Sequence, residues 1–156
     1  MKNKIIITDL DGTLALIDER RELSKTKDNK IDWDKFFDPK NIKRDRPNVP
    51  VINLLLSMQE EYKIIITSGR SDRTKGATLE WLVYNNVPFD KLYMRKEKDF
   101  KPDFLLKERM LLNEVIPNDC DNDIRNIEFV LDDRDCVVAK WRELGLTCFQ
   151  VAQGDF

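Results

Sequence analysis

The stretch IIITDLDGTLALID, from Ile5 to Asp18, decides the fold of this 156-residue chain. Its three consecutive isoleucines predict a buried strand, and that strand leads directly into Asp9 and Asp11, two aspartates separated by one residue. An acidic turn at a strand end is one interpretation. The other is a reaction centre, because two carboxylates at this spacing can act as nucleophile and as general acid–base. The side chains at the other strand ends must decide between the two.

The composition indicates a soluble domain. Charged residues make up 36% of the chain, but the formal net charge is only −2, which argues against a basic nucleic-acid coat protein and still allows a local basic groove. No apolar run reaches the roughly 18–20 residues of a membrane span. The start MKNKIIITD is too short and too acidic for a signal peptide. We therefore predict a cytoplasmic protein without a membrane partner.

The residue types present restrict catalysis to carboxylates, lysines and a metal. The chain has no histidine, which removes Ser-His-Asp triads and histidine-bound zinc. Its three cysteines include no C-x-x-C pair, so neither a disulfide framework nor a zinc site is expected. Cys136 and Arg142 have the C-x5-R spacing of cysteine phosphatases, but the residues between them lack the glycines that wrap a phosphate. We interpret Cys136 as a small residue of an amphipathic helix.

Short apolar runs alternate with helical patterns along the chain. The predicted strands are Lys4–Thr8, Lys63–Thr67, Lys91–Met94, Glu128–Leu131 and Thr147–Val151. The predicted helices are Val51–Glu61, Arg73–Asn85, Pro102–Asn113 and Asp135–Leu144. This alternation predicts one doubly wound, Rossmann-like α/β domain over residues 1–156, with a parallel sheet of about five strands and helices on both faces.

One polar segment, at about residues 15–49, interrupts this pattern. Its strong apolar residues are Trp33, Phe36 and Phe37, and the stretch Asp32–Phe37 has a helical pattern. We interpret the segment as a surface flap or insertion rather than a large cap domain.

Polar groups follow three of the predicted strands, and ligands bind at the carboxyl ends of such strands. These groups are Asp9 and Asp11, then Ser68 and Arg70, then Asp132 and Asp133. Four carboxylates on one rim repel each other, and a hard cation such as Mg²⁺ would relieve that repulsion. A hydroxyl, an arginine and a lysine suit the oxygens of a phosphate. The sequence therefore predicts a magnesium-dependent site for phosphate chemistry.

The motif order DLDGT, IIITSGR, a lysine and VLDDR resembles the haloacid-dehalogenase-like (HAD) phosphatases. With DLDGTLALIDER and the carboxyl-terminal QVAQGDF, essentially the whole chain resembles the 3′-phosphatase domain of phage-type polynucleotide kinase/phosphatase. The resemblance implies the following roles. Asp9 forms an aspartyl-phosphate, and Asp11 is the general acid and base. Mg²⁺ is held by Asp9, the Asp11 backbone carbonyl and Asp132 or Asp133. Ser68, Arg70 and Lys107 hold the non-bridging oxygens.

The resemblance also implies substrate-binding roles for Thr13, for Arg20 in the flap and for Asp103. Arg21 adjoins Arg20, so the register of the flap arginine stays open. We expect the flap arginine to contact the group next to the reacting phosphate.

Two lysines are candidates for the lysine motif. Lys107 lies four residues after Asp103, which puts both on one helix face, where the carboxylate can orient the ammonium. Lys101 precedes Pro102 and matches the Lys-Pro pattern of other superfamily members.

The basic loop around Lys96 and Lys98 also has two interpretations. It is either a solvated loop or a track for backbone phosphates. The cations of the loop and of the flap that would form such a track are Arg95, Lys96, Lys98, Lys101, Lys40, Lys43, Arg44 and Arg46.

The implied activity is hydrolysis of 3′-phosphate ends of DNA or RNA, as in nucleic-acid repair, at a site open enough to admit a polymer end. None of the five glycines fits the G-x-x-x-x-G-K-[ST] loop of a kinase, so we expect no 5′-kinase activity. Two alternatives stay open. One is a small-molecule or nucleotide phosphatase, and the other is a non-catalytic module that binds nucleic-acid ends. A homo-oligomer and a separate kinase or ligase in the same pathway are compatible with this interpretation.

Overall fold

The strand that precedes Asp9 lies at the centre of a parallel sheet in the computed structural model, which describes residues 2–156. Along the chain, the strands are β1 (Lys4–Thr8), β2 (Ala15–Leu16), β3 (Arg46–Pro47), β4 (Tyr62–Ser71), β5 (Lys91–Arg95), β6 (Ile127–Asp132) and β7 (Cys148–Gln150). The α-helices are α1 (Asp18–Leu23), α2 (Trp33–Phe36), α3 (Pro39–Ile42), α4 (Val49–Met58), α5 (Lys75–Tyr84), α6 (Asp103–Met110), α7 (Ile116–Asp119) and α8 (Asp135–Glu143). A π-turn spans Leu111–Val115, and 3₁₀ turns span Asp72–Thr74 and Ile124–Asn126.

The sheet is doubly wound, as the sequence predicted. Its order is β5-β4-β1-β6-β7, and every adjacent pair is parallel. Because side chains alternate along a strand, Ile6 packs with α4 and α5 on one face, whereas Ile5 and Ile7 pack with the π-turn and α8 on the other. Both faces are therefore covered, which explains why the strands are continuous apolar runs.

All five predicted strands are confirmed, with bounds that differ by a few residues. The helix predicted over Pro102–Asn113 was too short, because α6 is followed without a break by the π-turn and by α7, which ends at Asp119. Pro117 lies in the first turn of α7, directly after the π-turn. Within residues 2–156, no helix has the length and apolar character to cross a membrane.

The flap, residues 15–49, is more deeply packed than a surface insertion. Its ends pair as the antiparallel strands β2 and β3, and the short helices α1, α2 and α3 lie between them. Ile17 and Phe36 join the core next to α4, and Ile42 is fully buried. Trp33, one of the strong apolar residues of the flap, is instead exposed. The packing of the flap could not be predicted from the sequence, because Ile17 and Phe36 are buried against residues that are distant along the chain.

Candidate active site

Asp9 follows β1 directly and is fixed by the turn after it. Its N–H donates to the carbonyl of Leu131 in β6 at 2.9 Å. Gly12 has a φ of +86°, and a Cβ at this position would lie 2.1 Å from Asp133 Oδ2, so the turn requires glycine. Thr13 donates its hydroxyl to Asp9 Oδ2 at 3.1 Å. Thr13, which we expected to bind substrate, thus supports the Asp9 carboxylate in this structure.

The structure places Lys107, rather than Lys101, beside Asp9. The buried Lys107 Nζ donates to Asp9 Oδ1 at 2.5 Å and to Asp132 Oδ2 at 3.2 Å. Burial alone would lower the pKa of Lys107, but the charges of Asp132 and Asp9 raise it well above its ordinary value. The ammonium therefore stays charged. Lys101 is exposed, and its Nζ contacts Asp99 at 3.4 Å.

Asp103 has other partners than the Lys107 ammonium that we expected it to orient. Its carboxylate accepts hydrogen bonds from Arg95 and, at 2.7 Å, from Arg134. It also lies against Gly69, where a Cβ would be 2.9 Å from Asp103 Oδ1. The local pairing rule fails here because the lysine extends instead to the two buried aspartates described above.

Three buried carboxylates could hold a metal ion. Asp9, Asp132 and Asp133 each offer an oxygen within 4.8 Å of the others. Burial and the charge of Asp132 raise the pKa of Asp133 to about 6. Burial also raises the pKa of Asp9, and its two carboxylate neighbours add to the effect against the opposing charge of Lys107. A hard divalent cation would remove this repulsion, so the donor set fits Mg²⁺.

The contacts separate the roles of the two adjacent aspartates of the fourth motif. Asp132 accepts hydrogen bonds from Lys107 Nζ, from Trp141 Nε1 at 3.1 Å and from the Asp133 N–H at 2.9 Å. The carboxylate of Asp133 accepts only a long contact of 3.4 Å from Thr13 among the hydrogen bonds found in residues 2–156. Asp133 therefore has the freer oxygens for a metal, and Asp132 positions the lysine.

Asp11 is held by two arginines. Arg70 donates to its carboxylate from Nε at 3.0 Å and from an Nη at 2.5 Å, and Arg20 donates from an Nη at 2.6 Å. Burial alone would raise the pKa of Asp11, but these two guanidinium groups hold it well below its ordinary value. We expected Arg70 to hold phosphate oxygens and Arg20 to contact substrate. In this structure both contact Asp11, and Ser68 Oγ accepts from the Arg70 N–H at 3.1 Å.

Asp45 also binds the two arginines that hold Asp11, a contact that the sequence did not predict. Its buried carboxylate accepts from Arg20 at 2.9 and 3.1 Å and from Arg70 at 3.3 Å, and its carbonyl accepts from Trp81 Nε1 at 2.9 Å. Burial raises the pKa of Asp45 to about 6, although the two arginines oppose this. One signal was present in the sequence: Asp45 is the single acid in the basic run Lys43–Arg46.

A cavity of about 740 Å³ opens onto the acid pair. The candidate site residues on its surface are Asp9, Asp11, Asp103, Lys107, Asp132 and Asp133. Arg21 also lines it, whereas its neighbour Arg20 is buried behind Asp11 with Arg70. One carboxylate next to a lysine and another held by arginines thus face the same space.

The chain is similar to known proteins over nearly its whole length. A family model described as the polynucleotide kinase PNKP phosphatase domain matches residues 3–156. The chain is 30% identical over 155 residues to a candidate bifunctional polynucleotide kinase/RNA ligase of Autographa californica nuclear polyhedrosis virus, covering 96% of this chain and 20% of the relative. It is also similar to a chain in the structure of the Pnkp1/Rnl/Hen1 RNA repair complex, with 34% identity and a TM-score of 0.78 over 99% of this chain and 44% of that one.

The fold is shared more widely. A HAD family enzyme from Bacteroides thetaiotaomicron, solved with magnesium and inorganic phosphate, is 16% identical with a TM-score of 0.60, covering 98% of this chain and 96% of that one. At this identity the similarity shows the fold alone.

Proposed function

Because this chain belongs to the family of the polynucleotide kinase PNKP phosphatase domain, a group of HAD-type phosphatases, we propose that it removes 3′-phosphates from the ends of DNA or RNA. The observation that carries this proposal is the contrast between the two aspartates. Asp9 lies beside a buried ammonium and Asp133, whereas Asp11 is held on two arginines, and both aspartates face one cavity. The chain spans less than half of the two relatives of highest identity described above, so the remaining activities of those proteins are not transferred to it.

Asp9 is the proposed nucleophile. Its oxygen attacks phosphorus, the bond between phosphorus and the 3′ oxygen breaks, and an aspartyl-phosphate forms. The Lys107 ammonium already touches Asp9 Oδ1 and would contact the non-bridging oxygens as negative charge develops there. Thr13 holds the other Asp9 oxygen, which fixes the direction of attack.

Asp11 is the proposed general acid and base. It gives a proton to the departing 3′ oxygen and then takes one from the water that hydrolyses the aspartyl-phosphate, releasing phosphate. The contacts with Arg20 and Arg70 favour the ionised carboxylate, which is the form that the second step needs. The first step needs the protonated form, so we expect the substrate to weaken at least one of these arginine contacts.

We further propose Mg²⁺ as the cofactor, held by Asp9, Asp133 and the backbone carbonyl of Asp11. When bound, the ion supplies positive charge that offsets the charge of the transferring phosphate. Asp132 keeps its position through Lys107 and Trp141.

The proposed function is tested by a phosphate-release assay on four substrates at equal concentration. These are a 3′-phosphorylated oligonucleotide, the same oligonucleotide with a 5′-phosphate, a 3′-mononucleotide and p-nitrophenyl phosphate. We expect the 3′-phosphorylated oligonucleotide to have the highest kcat/KM, because contacts with the rest of the chain help to orient the reacting group. Faster hydrolysis of the 5′-phosphate or of the mononucleotide would favour the small-molecule alternative. No hydrolysis of any substrate would favour an end-binding module.

The Asp11→Asn variant separates the two proton transfers. On the 3′-phosphorylated oligonucleotide we expect turnover to fall by about 10²–10⁴-fold, the usual range for lost general acid–base catalysis. Nitrophenolate leaves without a proton, so p-nitrophenyl phosphate should still give a rapid first turnover followed by slow hydrolysis of the aspartyl-phosphate. Rapid-quench measurement of the nitrophenol burst checks this. Equal loss of the first turnover on both substrates would contradict the acid role of Asp11.

A further inference from the structure

One tryptophan of the flap, Trp33, lies at the surface of the cavity. Of the three tryptophans in the chain, Trp81 and Trp141 are buried, whereas Trp33 is 61% exposed and lines the cavity. Its ring stacks on Phe37 with centroids 5.9 Å apart and an interplanar angle of 19°, and it meets Phe36 edge-on at 5.5 Å. The two phenylalanines therefore hold the indole in place while most of its surface stays accessible.

A second aromatic ring, Phe100, lines the same cavity from the loop between β5 and α6 and is 90% exposed. The loop around it is fixed. The Arg95 guanidinium donates to the carbonyls of Asp99 at 2.9 Å and Lys101 at 2.6 Å, and the Asp99 carboxylate accepts from the Lys101 N–H at 3.1 Å. The loop therefore holds a large apolar ring in water at the surface of the cavity, where it is free to contact a ligand.

Cations lie beside these rings. Lys96 and Lys98 precede Phe100 in the same loop and line the cavity. Within residues 2–156, the salt bridges of this loop join Arg95 to Asp103 and Lys101 to Asp99, so neither Lys96 nor Lys98 has a carboxylate partner. By contrast, Arg73 on the same cavity surface pairs with Asp34 of the flap at 3.3 Å. Aromatic rings interleaved with unpaired cations are the arrangement by which proteins bind single-stranded nucleic acid, because rings stack on bases and cations contact the backbone.

We propose that Trp33 and Phe100 stack on bases of a single-stranded polynucleotide whose 3′-phosphate lies at Asp9, and that Lys96 and Lys98 contact its backbone phosphates. This inference rests on the proposed function and specifies its substrate as a single-stranded end. The bases of a blunt duplex are covered by their neighbours and offer no free face to these rings. Stacking also tolerates any base, so the site should distinguish single-stranded from duplex ends rather than one sequence from another.

The test compares kcat/KM for a single-stranded 3′-phosphorylated oligonucleotide with that for glycerol 2-phosphate, which has a phosphate on a secondary carbon but no base. For Phe100→Ala we expect a loss of about 5- to 150-fold on the oligonucleotide, which is the effect of about 1–3 kcal/mol for one stacked base. The loss on glycerol 2-phosphate should be much smaller. Trp33→Leu, which keeps apolar bulk in the flap, should give the same difference between the two substrates.

Tyr84 provides a matched control, because it is 86% exposed on α5 and does not line the cavity. Tyr84→Ala should leave both substrates unaffected. A Phe100→Ala enzyme with the wild-type kcat/KM on the oligonucleotide would overturn the proposal, and so would equal losses on both substrates. If the wild-type enzyme hydrolyses glycerol 2-phosphate but no oligonucleotide, the proposed function itself fails, and this inference fails with it.

A comparison of single-stranded and duplex substrates gives an independent readout. The wild-type enzyme should prefer the single-stranded substrate to a blunt duplex with the same 3′-phosphate, and Phe100→Ala should reduce that preference. Because Trp33 is the exposed tryptophan, titrating the single strand should also quench intrinsic fluorescence, and Trp33→Leu should abolish the quenching. An unchanged strand preference or quenching in these variants would count against the stacking role.

Discussion

Replacing Asp9 with asparagine should abolish phosphate release without loss of the fold. The amide is a poor nucleophile, so turnover should fall by about 10⁴-fold or more, the scale seen when the nucleophile of a covalent mechanism is removed. The asparagine oxygen can still accept from Lys107, and one of three mutually repelling carboxylates is gone. We therefore expect a thermal unfolding temperature equal to or above that of the wild-type protein in metal-free buffer.

The measurement is acid-quenched labelling of the protein by a substrate with radioactive phosphate, which should mark the wild-type enzyme and not Asp9→Asn. Asp119→Asn is a matched control. Asp119 also has a buried carboxylate that accepts from lysines, Lys63 at 2.6 Å and Lys91 at 2.7 Å, but it lies at the amino ends of β4 and β5. This control should lower stability and keep kcat. Near-normal turnover by Asp9→Asn would exclude the aspartyl-phosphate.

Removal of divalent metal should also eliminate activity. In excess EDTA we expect no measurable phosphate release, with full recovery on addition of Mg²⁺ and poor recovery with Ca²⁺. Calcium takes more ligands at about 2.3–2.6 Å, against about 2.0–2.1 Å for magnesium, and would displace the attacking oxygen. Burial and the charge of Asp132 raise the pKa of Asp133 to about 6, and a bound cation would offset both effects. Mg²⁺ should therefore also raise the unfolding temperature.

Two variants distinguish the adjacent aspartates in this response. Asp133→Asn should lose most of the stabilisation by Mg²⁺, since Asp133 has the freer oxygens. Asp132→Asn should instead lower stability in metal-free buffer, because both oxygens of Asp132 accept hydrogen bonds and an asparagine would turn its NH2 group towards one of these donors. Full activity in EDTA would remove the metal from the mechanism, and equal responses of the two variants would refute the division of roles.

The sequence was sufficient for features that depend on neighbours along the chain. Continuous apolar runs predicted the parallel strands, and the polar residues directly after them predicted the rim where Asp9, Asp11, Asp132 and Asp133 meet. These predictions succeed because the carboxyl ends of parallel strands must lie at one edge of the sheet.

Contacts between distant residues could not be predicted in the same way. Arg20 and Asp45 are 25 residues apart, and nothing in the spacing of the flap indicates that they pair or that Arg70 joins them. For Lys107, the spacing from Asp103 suggested the correct residue but a different partner, because burial beside two carboxylates outweighs an exposed helical pair.

Asp45 also sets a limit on how this protein could be redesigned. A minimal version without the flap would leave Arg70 in the interior with Asp11 as its remaining carboxylate partner, and Arg20 would be gone. A flap of a different shape, introduced to admit a different substrate, would likewise leave Arg70 without its second carboxylate partner. The new segment would therefore need an acid at the position of Asp45. Substrate range and the protonation of Asp11 are therefore coupled in this scaffold, so a graft that alters one must be selected for both.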